Sequence, residues 1–188
     1  MNKHYVSPDD LRKDSFKLGA QVYDSGFQPD FMIALWRGGA PIGCHVHECL
    51  EYMNKREIDH IAIRTSRYTK TGQPLAEVKV HNLRYLLENI DRTTKLLIVD
   101  DIADSGHTVD AVIKAIDEGC GEYSRPCMIK IATLYYKPTK YQSLRKPDYF
   151  VHTTDKWVVF PHELEGMTRE EIIATMGLEI ANIVTKPL

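Results

Sequence analysis

The run Leu96-Leu97-Ile98-Val99 stops abruptly at two carboxylates, Asp100 and Asp101. A short, unbroken apolar run with β-branched members suits a strand buried on both faces, and such a strand needs helices covering each side of its sheet. Beyond the acids, Val109, Val112, Ile113 and Ile116 recur at helical spacing, and the stripe closes at Gly119. A buried strand leading through a short polar turn into an amphipathic helix is half of a β-α-β unit, the building block of a parallel sheet. The pattern occurs twice. Phe31 to Leu35 is a second continuous apolar run, and it empties into Arg37-Gly38-Gly39 before a helix predicted from Ala40 to about Tyr52.

The other segments fit around these two units. Ser7-Pro8-Asp9-Asp10 predicts a helix start, with a capping hydroxyl, a proline in the first turn and acids favourable to the dipole. Leu11, Leu18 and Val22 continue that helix, and Gly26 ends it. Strands are predicted at Ile61 to Ile63, around Val78 and Val80, from Met128 to Tyr135 and from Tyr149 to His152, with a helix over Leu83 to Ile90. Thr65 to Pro74 reads as a polar loop. Thr168 to Glu171 spells T-x-x-E, a capping box opening a short C-terminal helix. Alternating strands and helices without repeats or linkers predict an α/β fold, a mostly parallel twisted sheet flanked by helices, in a single domain spanning 1–188.

Composition excludes several classes. A formal net charge of −2 offers no basic surplus for nucleic acid. No segment has the ~18 uncharged apolar residues of a membrane helix, and the N-terminal MNKHYVSPDD lacks the apolar core of a signal peptide. Cys44, Cys49, Cys120 and Cys127 form no C-x-x-C pair, so they read as reduced thiols in a cytoplasmic protein.

The segment after Val99 carries the chemistry. Ligands of open parallel sheets bind beyond the carboxyl ends of the strands. There Ser105 and Thr108 offer hydroxyls, Gly106 lets backbone approach an anion, and the free N–H groups of a helix start favour phosphate. Adjacent carboxylates above that cradle suit the hydroxyls of a sugar, directly or through a divalent cation. The joint pattern reads as a ribose-5-phosphate site. Either half alone would fit solvated aspartates at a strand end with a serine helix cap.

Leu96 to Thr108, LLIVDDIADSGHT, resembles the signature of the type I phosphoribosyltransferases: an apolar strand, two acids, then T/S-G-x-T. Serine at Ser105 keeps the hydroxyl of the commoner threonine. The resemblance implies that family's fold, with a small hood formed by the terminal segments. It implies that Asp100 and Asp101 hold the ribose hydroxyls of phosphoribosyl pyrophosphate (PRPP). Ser105, Gly106, His107 and Thr108 would grip its 5-phosphate, His107 at a variable position. Leu35-Trp36-Arg37-Gly38-Gly39 looks like the family's pyrophosphate loop, with Arg37 as charge partner, amides at Gly38 and Gly39, and a cis peptide at Trp36-Arg37. Ser66, Arg67 and Tyr68, with the polar stretch to Pro74, lie where the family has a mobile loop.

Further segments are similar to the xanthine-guanine and hypoxanthine-guanine branch. Lys137 matches the lysine that donates to the 6-oxo group of a purine, while Trp157 and Val158 match the base-stacking aromatic and its neighbour. Glu163 stands where an acid helps hold Mg2+ together with Asp100 and Asp101. Asp104 then matches the acid that faces N7 of the base and handles its proton. The activity implied is purine salvage from PRPP to nucleoside monophosphate and pyrophosphate, by a homo-oligomer, dimer or tetramer. A sensor of PRPP or nucleotides on the same fold, and an enzyme for another base, are the alternatives. His45 and His47 point to different helix faces and do not suggest a metal pair, and His162 reads as a surface histidine.

Overall fold

Both apolar runs fold as neighbouring strands in the middle of one sheet, and each leads into a helix. In chain order, the described residues of the computed structural model, 3–68, 74–120 and 125–185, form the following elements. The first half comprises β1 (Lys3–Tyr5), α1 (Pro8–Asp24), β2 (Phe31–Trp36), α2 (Gly39–Asn54), β3 (Asp59–Tyr68), β4 (Pro74–His81) and α3 (Arg84–Asn89). The second comprises β5 (Lys95–Ala103), α4 (His107–Gly119), β6 (Met128–Tyr136), β7 (Tyr149–Thr153), β8 (Trp157–Val159), α5 (Arg169–Met176) and α6 (Leu178–Val184). The chain divides into two units: residues 14–155, and a smaller one made from its two ends, 1–13 with 156–188.

The larger unit holds a six-stranded sheet of order β4-β3-β2-β5-β6-β7. All neighbours are parallel except the β3–β4 edge hairpin. Both faces are covered, which is why β2 and β5 are apolar at consecutive positions. On one face Phe31, Ile33, Leu35, Leu96 and Ile98 pack with Leu86, Val109, Val112, Ile113 and Ile116 of α3 and α4. On the other face α2 lies so close to β2 that a Cβ on Gly43 would come 2.7 Å from Cβ of Ala34. Buried Asp14 accepts hydrogen bonds from Lys17 Nζ at 2.7 Å and from His152 Nε2 at 2.7 Å, which ties α1 to edge strand β7. Burial alone would push the Asp14 carboxyl up. The Lys17 and His152 partners outweigh burial and hold it below its ordinary 3.8.

In the smaller unit β1 and β8 form a two-stranded parallel ribbon. Glu171 joins that ribbon to α5: its Oε1 accepts from Lys3 Nζ and Tyr5 hydroxyl, each at 2.6 Å. These bonds, with one from Thr168 N–H, lower the Glu171 carboxyl to about 2. The expected capping box is present, with Glu171 N–H donating to Thr168 Oγ1 and Thr168 N–H to Glu171 Oε2. Among the described residues no helix is long and apolar enough to cross a membrane.

Three elements differ from expectation. Thr65 to Tyr68 continue β3 rather than opening a loop, because Thr65 and Ser66 pair with Val80 and Lys79 on the antiparallel sheet edge, where polar side chains cost nothing. β5 runs on through the acids to Ala103, carried by pairing with Tyr135 and Tyr136 of β6. The ribbon β1–β8 had no local signal.

Candidate active site

Strand order reverses direction between β2 and β5: the chain moves outward to β3 and β4, then returns to begin β5 beside β2. Such a switch point opens a crevice at the carboxyl ends of the two strands, where ligands of open α/β sheets bind. The two segments singled out by sequence lie at those two ends.

From β2 comes Trp36-Arg37-Gly38-Gly39. The Trp36–Arg37 peptide is cis, as the resemblance implied, and both side chains are exposed. The two glycines are needed for close approach. A Cβ on Gly39 would lie 2.4 Å from the Val99 carbonyl oxygen and 2.9 Å from Cα of Asp100, and one on Gly38 would lie 1.9 Å from Oδ2 of Asp101. The loop is therefore seated directly against the acidic end of β5.

From β5 come the paired carboxylates. Asp101 is buried, and its N–H donates to Oδ1 of Asp100 at 3.0 Å. Burial, then the neighbouring Asp101 charge, push the Asp100 carboxyl well above the ordinary carboxylate range. Two adjacent carboxylates withdrawn from solvent favour a proton, a cation or hydroxyl donors. Asp104 follows, half-exposed, and Lys137 at the end of neighbouring β6 is almost fully buried. Their Nζ–Oδ1 separation is 3.4 Å. That is an ion pair, longer than a charge-assisted hydrogen bond of ~2.7–2.9 Å.

Beyond Asp104, Ser105-Gly106 turns into α4. Gly106, at φ 85°, is the N-cap and supplies no side chain. The first N–H groups of a helix have no partner within it, and no side chain caps them here. With Thr108 in that turn, the arrangement has the donors that suit an anion. Ser66 lies in β3 with its hydroxyl 3.1 Å from His81 Nε2, and Arg67 and Tyr68 belong to the same strand. The rest of the candidate mobile loop, residues 69–73, lies outside the described residues. Trp157 and Val158 form part of β8 in the smaller unit, with Trp157 exposed and Val158 buried. Glu163 is in that unit too, its Oε2 accepting from Phe160 N–H at 3.4 Å.

Comparison with known proteins is decided by one match: the phosphoribosyl transferase domain model fits residues 10–165. The chain belongs to the phosphoribosyltransferase family. This phosphoribosyltransferase is accordingly an enzyme of the pentosyl-transferring class. Solved structures agree in fold. A purine phosphoribosyltransferase from Pyrococcus horikoshii is 26% identical with a TM-score of 0.65, covering 89% of this chain and 99% of that one. A Neisseria gonorrhoeae protein with bound ppGpp is 24% identical with a TM-score of 0.69, covering 88% and 92%. The Helicobacter pylori xanthine-guanine-hypoxanthine phosphoribosyltransferase is 21% identical with a TM-score of 0.65, covering 97% and 99%. No curated protein matches the chain.

One group at the site carried no sequence signal. The turn after Lys137, with Tyr141, Gln142 and Ser143, packs on Ser105-Gly106. Its contacts join residues far apart in sequence, and no periodicity or motif marks them.

Proposed function

We propose that this phosphoribosyltransferase transfers the 5-phosphoribosyl group of PRPP to a 6-oxopurine (hypoxanthine, guanine or xanthine), releasing pyrophosphate, in the cytoplasm. The observation that carries this reading is the pairing of Lys137 with Asp104 at 3.4 Å on adjacent strand ends, beside the carboxylate pair and the phosphate loop. A buried ammonium suits a carbonyl acceptor such as the 6-oxo group, and a carboxylate beside it suits the ring N–H at N7.

Asp100 and Asp101 would accept from the ribose hydroxyls, while Ser105 to Thr108 hold the 5-phosphate. Arg37 and the amides of Gly38 and Gly39 would meet the pyrophosphate. The purine nitrogen forms its bond to C1 of ribose as the C1–O bond to pyrophosphate breaks, through an oxocarbenium-like transition state. Arg37 stabilises charge developing on the leaving group, and Asp104 takes the N7 proton. Trp157 and Val158 would, by the resemblance, stack on and flank the base. Exclusion of water protects the donor from hydrolysis.

The donor set fits Mg2+: Asp100 and Asp101 supply adjacent hard carboxylate oxygens at the end of β5. Those two and Glu163 would hold the ion, which neutralises pyrophosphate charge when bound.

The test is pyrophosphate release from PRPP and Mg2+ across a panel of purines and pyrimidines. Release with hypoxanthine, guanine or xanthine is expected. Release only with adenine or a pyrimidine would move the acceptor elsewhere, and donor binding without release with any base would return the sensor reading.

A further inference from the structure

The turn that follows Lys137 grips the segment on both sides of Asp104. Lys137 N–H donates to the Ala103 carbonyl at 3.0 Å, and Gln142 N–H to the Ser105 carbonyl at 3.1 Å. The turn is closed on itself as well. Lys140 and Tyr141 N–H groups both donate to the Lys137 carbonyl, at 3.2 and 3.1 Å, and the Tyr141 hydroxyl donates to the Arg145 carbonyl at 2.7 Å. Ser143 Oγ accepts from Arg145 N–H at 3.0 Å and donates to Oδ1 of Asp110, in the first turn of α4, at 2.7 Å. The Tyr141 ring packs edge-on against Tyr136, the last residue of β6, at 5.2 Å between centroids.

Gly106 is where these contacts converge. The space a Cβ would occupy there is already taken by Cβ of Ser143, at 2.5 Å, and by the Tyr141 ring, at 2.8 Å. A glycine at positive φ is otherwise the most mobile residue in a loop. Here a tyrosine ring and a serine press on it from outside. Loop freedom frozen before an anion arrives does not have to be frozen by the anion, and that raises affinity. Ser143 also occupies a carboxylate oxygen of Asp110, an acid whose charge opposes an anion at the same helix start.

We propose that Tyr141 and Ser143 are positioning residues for the phosphate loop: they fix Ser105-Gly106 and so aim the first-turn amides of α4 at the 5-phosphate. The inference rests on the reading of Ser105 to Thr108 as the phosphate site.

The experiment compares binding of inosine 5-monophosphate and of inosine by calorimetry, in the wild type and in Tyr141→Phe, Tyr141→Ala and Ser143→Ala. The ratio of the two affinities isolates what the phosphate contributes. Tyr141→Phe keeps the ring and should hold the ratio within about twofold. Ser143→Ala removes hydrogen bonds and should shrink it about fivefold, and Tyr141→Ala, which empties the space beside Gly106, about tenfold or more. Inosine affinity alone should change little. A role in stability alone would weaken both ligands equally and leave the ratio intact, and that result overturns the proposal. If Tyr141→Ala does not fold, Ser143→Ala decides by the same ratio. A wild type that binds inosine and its monophosphate equally well would overturn the phosphate-site reading itself, and this inference with it. A wild-type preference that survives in the variants overturns this inference alone.

Discussion

Replacing Gly39 by alanine tests whether the loop after β2 is seated on β5 as described. The added methyl would meet the Val99 carbonyl oxygen at 2.4 Å, Cα of Asp100 at 2.9 Å and the Val99 carbonyl carbon at 3.2 Å. All three atoms are backbone of a central strand bonded on both sides, to β2 and to β6. None can swing aside as a side-chain tip could, so the loop itself has to lift. Overpacking of this kind costs ~1–3 kcal/mol, and backbone neighbours place Gly39→Ala at the upper end. At ~2–4 °C per kcal/mol for a chain of this size, the expected fall in Tm is about 6–12 °C. Lifting the loop also carries Arg37 and the glycine amides away from Asp100 and Asp101, so PRPP affinity measured by calorimetry should fall at least tenfold, equivalent to ~1.4 kcal/mol. Ile116→Ala is the matched control. It empties a fully buried site on α4 at ~2–5 kcal/mol, yet should leave PRPP affinity of the folded protein within about twofold. A Gly39→Ala protein with unchanged Tm and unchanged PRPP affinity would refute the seating of the loop. Equal affinity losses in both variants would show that donor binding merely tracks stability.

Asp104→Asn should lower turnover by ~10²–10⁴, while PRPP affinity stays within about threefold; equal turnover in wild type and variant would remove Asp104 from proton transfer. Asp14 makes stability pH-dependent with a definite sign. Its folded pKa is held below 3.8 by Lys17 and His152, so its contribution is whole above about pH 4 and is lost as pH falls through the lowered value. Urea unfolding of wild type and Asp14→Asn should therefore differ most near pH 6, and the gap should narrow as pH falls below about 4. A gap constant over that range would contradict the assignment.

What was legible in the sequence follows from which residues are constrained locally. Phe31 to Leu35 and Leu96 to Val99 were readable as strands because helices cover both faces of the sheet, leaving no polar alternation to blur them. The continuation of β5 through Asp100 to Ala103 was not, since the carboxyl end of the strand carries acids that no strand propensity favours. Pairing with β6 holds it extended. β1 and β8 are three-residue strands from opposite ends of the chain that pair with each other. The site divides in the same way. Asp100, Asp101 and the Ser105–Thr108 loop were visible as candidates because they stand together in one short stretch, with residue types that suit a sugar phosphate. Asp104 and Lys137 could be paired only through resemblance, because β5 and β6 bring them together across intervening helix α4. Tyr141 and Ser143 left no trace, because their role lies in what they touch around Gly106 rather than in their spacing.

The most direct measurement is quantitative product analysis. Purified protein with PRPP, Mg2+ and hypoxanthine, guanine or xanthine is followed by chromatography for nucleoside 5-monophosphate and, in parallel, for pyrophosphate. One mole of each per mole of base consumed, with at least one of these three purines, is the predicted result. Pyrophosphate without nucleotide, or no product from any of the three while PRPP binds, would contradict transfer to a 6-oxopurine.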